Sequence, residues 1–150
     1  MELGGKNPLI VLGDVDPEKA AADAAYGCFS AAGQLCVSIE RIYVERSIAE
    51  RFVPAFAERV KNLSLGVDFD YTADVGSLAT QTQLERVTAH LDDAVAKGAT
   101  VLAGGVHRPD LGPYVLEPTV LSEVSDDMAC AREETFGPLV SVYRFRTDDE

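Results

Sequence analysis

At 150 residues and 47% hydrophobic, the chain is long enough for one domain with its own core. Its 25 acidic and 13 basic side chains give a net charge of −12, which argues against nucleic acid or an anionic membrane as partner, since either needs a basic face. No apolar run approaches the roughly 20 residues of a membrane span and the start is acidic and glycine-rich, while three cysteines without Cys-x-x-Cys spacing suggest neither a disulfide framework nor structural zinc; the expected setting is the reducing cytoplasm.

Pro8 to Leu12 is a short apolar run stopped by Gly13-Asp14, the pattern of a strand buried on both faces of a parallel sheet. Asp16-Pro17 reads as an N-cap with a first-turn proline, and the alanine-rich stretch to about Phe29 has good helix propensity. After a loop, Arg41 to Val44 is a second strand. Ser47-x-x-Glu50 has the form of a capping box for a helix carrying Phe52, Phe56, Val60 and Leu63 on one side, with a bend expected at Pro54.

Residues 64–79 lack a period and read as a loop. Thr80-x-x-Gln83 caps a helix with Leu84, Val87, Leu91 and Val95 at three-and-four spacing and Gly98 at its end. Thr100 to Ala103 is a short strand ended by Gly104-Gly105. Tyr114 to Leu121 is extended but broken by Pro118, which marks an edge or a bend, and Ser125-Asp126-Asp127 starts one helical turn leading to Glu133. Leu139 to Phe145 is the last strand. This alternation predicts an α/β domain with a largely parallel sheet flanked by helices, and shows no internal repeat or interdomain linker.

The chemistry centres on Ala31-Ala32-Gly33-Gln34-Leu35-Cys36-Val37-Ser38. A thiol at a helix-to-strand junction, with glycine allowing close backbone approach, can sit at a pocket floor with its own peptide N–H aimed at a bound carbonyl. Taken alone, Cys36 suits a buried structural thiol as well. Two further stretches accompany it: Glu2-Leu3-Gly4-Gly5-Lys6, and Glu133-Glu134-Thr135-Phe136-Gly137-Pro138.

These three motifs, in this order and at these separations, resemble the aldehyde dehydrogenase superfamily over the whole chain. The resemblance implies that Cys36 is the nucleophile and Glu2 the general base. It implies that Glu134 and Phe136 hold the nicotinamide end of NAD or NADP, with Leu3 and Gly4 also on the cofactor side. The mechanism it implies is thiolate attack on an aldehyde, hydride loss from the thiohemiacetal, and hydrolysis of the resulting thioester to an acid. It further implies a partial catalytic domain over residues 1–150, with the cofactor-binding domain and the C-terminal oligomerisation segment absent, a small-molecule aldehyde as substrate, and a homo-oligomer.

Residues 33–44, Gly-Gln-Leu-Cys-Val-Ser-Ile-Glu-Arg-Ile-Tyr-Val, look most like bacterial succinate-semialdehyde dehydrogenases of the actinobacterial kind. Many of those carry an arginine six residues before the nucleophile, where this chain has Ser30, so a broad-range aldehyde dehydrogenase is the alternative. A cysteine hydrolase would need a histidine base, and His90 and His107 lie in no recognisable motif; both read as solvated. Cys28 and Cys130 read as packing residues, and Lys6 as a structural salt bridge or carbonyl contact. The remaining reading is a noncatalytic fragment that self-associates through an uncovered apolar face.

Overall fold

The computed structural model describes residues 4–68, 70, 72–147 and 149–150. Five strands form one sheet: β1 (Asn7–Val11), β2 (Ile39–Glu45), β3 (Thr100–Ala103), β4 (Thr119–Ser122) and β5 (Leu139–Phe145). Their spatial order is β1-β2-β5-β4-β3, and every pairing is parallel except β3 with β4. Helices α1 (Pro17–Phe29) and α2 (Arg46–Lys61) connect and flank the first strands, while α3 (Gln81–Ala96) and the single turn α4 (Ala129–Arg132) serve the second half. This is the mixed, largely parallel α/β architecture that the alternation of elements predicts.

Local chemistry accounts for most element ends. Asp16 caps α1 by accepting from the N–H groups of Glu18 and Lys19, both at 3.0 Å, with Pro17 in the first turn. Thr80 caps α3 by accepting from Gln83 N–H at 3.2 Å, and Gly98 leaves that helix with φ +103. The expected capping box of α2 does not form. The helix starts two residues earlier, at Arg46 with Glu45 as N-cap, and Ser47 Oγ donates to Glu45 Oε1 instead. Helix α2 runs on through Pro54.

Two apolar clusters fill the two sides of the sheet. The larger holds Phe29, Phe52, Phe56, Ile42, Val44 and Val140 between the sheet and α1 and α2. Phe56 stacks on both Phe29 and Phe52, at centroid distances of 6.4 and 5.7 Å. The smaller, with Val87, Leu91, Leu121, Met128 and Leu139, lies under α3 and α4. Helix α3 turns Ala94 inward and leaves Val95 48% exposed, a shift of one position from the expected stripe.

Two strand expectations are corrected. Among the described residues β1 is an edge strand, paired with β2 alone, and Ile10 on its open side is 62% exposed. An apolar run cannot by itself distinguish one covered face from two. Conversely, β4 lies inside the sheet between β3 and β5, because Pro118 falls just before its first residue and removes no bond from its ladder. Beyond β1, the open face continues over Tyr43 and Tyr143, whose rings stack at 5.1 Å. Ile10, Leu12, Tyr43, Tyr143 and Phe145 line a groove of about 550 Å³ there. Among the described residues, no helix is long and apolar enough to cross a membrane.

Candidate active site

Cys36 follows α1 through a backbone segment of unusual hand. Ala31, Ala32 and Gly33 adopt φ of +52, +55 and +70, a left-handed turn that costs non-glycine residues on the order of 1 kcal/mol each. Only Gly33 has a steric reason for its identity: a Cβ there would stand 2.3 Å from the carbonyl oxygen of Gly137. The left-handed turn thus brings the thiol loop against the 133–138 loop, backbone to backbone. Gln34 fixes the turn from its other side, donating to Ala31 O and Ser77 O and accepting from Ala79 N–H at 2.8 Å.

The Cys36 side chain is exposed, with Leu35 and Val37 beside it 42% and 73% exposed. Its carbonyl accepts from Asn7 Nδ2 at 2.7 Å, and the same amide donates to Ser38 O at 3.0 Å. The loop is therefore pinned to the start of β1. Among the described residues none accepts the Cys36 peptide N–H, which leaves that donor available to a bound oxyanion. The Ser38 hydroxyl is buried without a partner among the described residues. Cys28 and Cys130 are buried, and burial pushes both thiols above the ordinary cysteine range.

The glycine-rich start comes to the same place. Gly4 has φ +80, and a Cβ on it would lie 3.6 Å from Glu134 Oε2; one on Gly5 would lie 3.6 Å from Cys36 O. The segment that follows Glu2 and Leu3 therefore reaches both Cys36 and Glu134, while Glu2 and Leu3 themselves lie outside the described residues. Glu134 is half-buried, and among the described residues nothing pairs with its carboxylate. Phe136, also half-buried, holds φ +53.

A polar scaffold, of which the sequence indicated only the Lys6 salt bridge, holds these pieces. Lys6 Nζ meets Glu40 Oε2 at 2.5 Å, with the two side chains only 11% and 5% exposed, which makes Lys6 the structural salt bridge expected of it. Removing one partner of such a buried pair costs about 3–5 kcal/mol. Arg41 donates twice to Lys6 O. His90, expected to be solvated, is 7% exposed on the inner side of α3, with Nδ1 3.1 Å from Thr135 Oγ1. Burial, with Lys6 nearby, holds its pKa below the usual histidine value. His107 is exposed, with Nε2 3.0 Å from Pro113 O.

An exposed thiol with a backbone donor that no described residue engages, a carboxylate that pairs with none of the described residues, and a glycine-rich segment reaching both suit nucleophilic chemistry on a carbonyl. The profile of the Aldehyde dehydrogenase family matches residues 1–150. A Mycolicibacterium smegmatis protein named "Putative succinate-semialdehyde dehydrogenase", with NADP(+) in its name, is 57% identical over 142 residues, covering 95% of this chain and 28% of that protein. A betaine aldehyde dehydrogenase of Cereibacter sphaeroides is 43% identical over 150 residues, all of this chain and 31% of that one. Among solved structures, the Staphylococcus aureus betaine aldehyde dehydrogenase in complex with NAD+ superposes with a TM-score of 0.92 at 39% identity, over 99% of this chain and 30% of that chain. This chain thus spans about three-tenths of the length of the relatives it matches. Fold, motif order and sequence agree, and the chain belongs to the aldehyde dehydrogenase family.

Proposed function

We propose that these 150 residues are part of the catalytic domain of an NADP-dependent succinate-semialdehyde dehydrogenase, with the cofactor-binding half and an oligomerisation segment lying outside them. The observation that carries this reading is the convergence of Gly4, Gly5 and the 133–138 loop on an exposed Cys36. The substrate and the preference for NADP rest on the name of the 57%-identical Mycolicibacterium smegmatis relative.

In this reading the Cys36 thiolate adds to the aldehyde carbonyl, forming an S–C bond, and the Cys36 N–H donates to the oxygen that gains the charge. The nicotinamide, when bound, accepts the hydride from that carbon. Cys36 then carries a thioester, and water attacks its carbonyl, breaking the S–C bond to give the acid and restoring the thiol. Glu2 is the base that activates this water. The Glu134 carboxylate, which pairs with none of the described residues, suits two vicinal ribose hydroxyls, since an ionised carboxylate only accepts. Phe136 packs beside the nicotinamide, with Leu3 and Gly4 on the same side.

The test is oxidation of succinate semialdehyde, propanal and benzaldehyde by the full chain carrying these residues, with NAD and NADP in turn and Cys36→Ala as control. The expected result is a preference for succinate semialdehyde and NADP that the substitution abolishes. Equal rates on all three aldehydes would replace the specific substrate with a broad-range one, and activity in Cys36→Ala would overturn the mechanism.

A second reading concerns the 150 residues by themselves. The open groove over Ile10, Leu12, Tyr43 and Tyr143 leaves apolar surface in water, which favours self-association. Sedimentation of the 150-residue chain at micromolar concentration decides it, and a lone monomer species rejects it.

A further inference from the structure

Glu40 carries a burden that its place in a strand does not explain. It is 4% exposed, on the same side of β2 as Ile42 and Val44, where an isolated carboxylate would be strongly disfavoured. Three donors converge on it. Lys6 Nζ and Thr135 N–H approach Oε2 at 2.5 and 3.0 Å, and Phe136 N–H approaches Oε1 at 2.9 Å. On the far side of the same two residues, Gln83 Nε2 donates to Thr135 O and Phe136 O, both at 2.7 Å. The N–H groups and the carbonyls of Thr135 and Phe136 are thus gripped from opposite sides. Phe136 sits in the left-handed region, φ +53, a conformation that persists only where its surroundings over-determine it.

We propose that Glu40 is a positioning residue, which sets Glu134 at its distance from Cys36. Thr135 directly follows Glu134, so the anchored Thr135 N–H fixes the peptide from which the Glu134 side chain departs. Glu40 and Cys36 lie four residues apart on one segment, so the anchor and the nucleophile share a frame. A glutamate is required for geometric reasons. A glutamine, in either orientation of its amide, would turn an NH₂ toward at least one of the three donors and withdraw the charge from the others, and an aspartate, one methylene shorter, cannot span both peptide N–H groups. The inference rests on the proposed roles of Glu134 and Cys36.

The test uses the full chain, comparing Glu40→Gln and Glu40→Asp with Glu134→Gln. Four quantities are read: the NADP⁺ dissociation constant by calorimetry, the aldehyde KM, the rate of Cys36 alkylation by iodoacetamide without cofactor, and the melting temperature. Glu40→Gln is expected to raise the NADP⁺ Kd about tenfold or more, as Glu134→Gln does, because at least one donor loses its acceptor and the remaining bonds lose their charge assistance. Aldehyde KM and Cys36 alkylation should stay within about twofold, since neither depends on where Glu134 stands. Should Glu40→Gln not fold, Glu40→Asp carries the same expectation with the charge retained. An NADP⁺ Kd that holds in folded Glu40 variants while rising in Glu134→Gln overturns the positioning role alone. An unchanged Kd in Glu134→Gln overturns the ribose role of Glu134 and this inference with it. If Kd, KM and alkylation all move together, Glu40 is merely structural and the inference fails.

Discussion

Replacing Gly33 by alanine should damage the protein more than one added methyl ordinarily does. The new Cβ would stand 2.3 Å from Gly137 O, 2.6 Å from Gly137 C and 3.2 Å from Pro138 N, all backbone atoms that no rotamer change can move aside. A left-handed φ of +70 adds on the order of 1 kcal/mol for a residue with a Cβ. Overpacking in a rigid setting adds about 1–3 kcal/mol, so the total is about 2–4 kcal/mol. For a chain of this size that lowers the melting temperature by roughly 4–16 °C. Ala31→Gly is the control: Ala31 shares the left-handed turn at φ +52 but is exposed, so its replacement relieves backbone strain and should change stability by less than about 1 kcal/mol in either direction. Thermal and urea unfolding of both variants measure the contrast. A Gly33→Ala stability within about 0.5 kcal/mol of the unaltered chain would show that the two loops are not in backbone contact, and the site geometry would fall with it.

Of the three cysteines, Cys36 alone should react rapidly with iodoacetamide under native conditions, because Cys28 and Cys130 are buried and held protonated; peptide mapping showing comparable native labelling of either would contradict the packing. A methyl on Gly137 would meet Val87 Cγ2 at 2.4 Å, so Gly137→Ala should cost about 1–3 kcal/mol and Val87→Ala should give part of that back, a non-additivity that a double-mutant cycle measures; strict additivity would refute the contact. His90 is held below its ordinary pKa of 6.5, so below about pH 6.5 the unfolded chain takes up a proton that the folded chain resists, and stability declines as pH falls from there. Urea unfolding between pH 7.5 and 5.5 should show that decline in the unaltered chain and a shallower one in His90→Gln; equal slopes would refute it.

The α/β class and the four described α-helices were legible in the sequence, because each rests on local spacing: the cap at Asp16, the three-and-four period of Val87 and Leu91, the glycines at 98, 104 and 105. The scaffold around the motifs was not, because a polar residue is usually assigned to the surface by its type. Glu40 alternates with Ile42 and Val44, so the period of two places its carboxylate inward, yet reading the strand from Arg41 leaves Glu40 outside the pattern. His90 shares the face of Val87, Leu91 and Ala94 by helical spacing, and its polarity concealed that. Partners such as Lys6 and Thr135 lie 34 and 95 residues from Glu40, beyond any local signal. The edge position of β1 and the interior position of β4 depend on strand order, which no single segment encodes.

The middle of the sheet belongs to β5, the last of the five described strands in chain order. β5 lies between β2 and β4, and its register pairs Arg41 with Ser141 and Thr119 with Leu139. Until it arrives, no strand pairing joins the β1-β2 pair to the β3-β4 pair, and only packing against α2 holds them together among the described residues. Closing the loop from residue 41 to residue 141 is a slow, non-local step, and it fuses both pairs at once. The 133–138 loop directly precedes β5, so the same event draws Glu134 and Phe136 against Glu40. On a ribosome, the reactive centre would therefore come into being only once β5 has emerged, and a chain that stops short of it would expose its thiol without the loop that faces it.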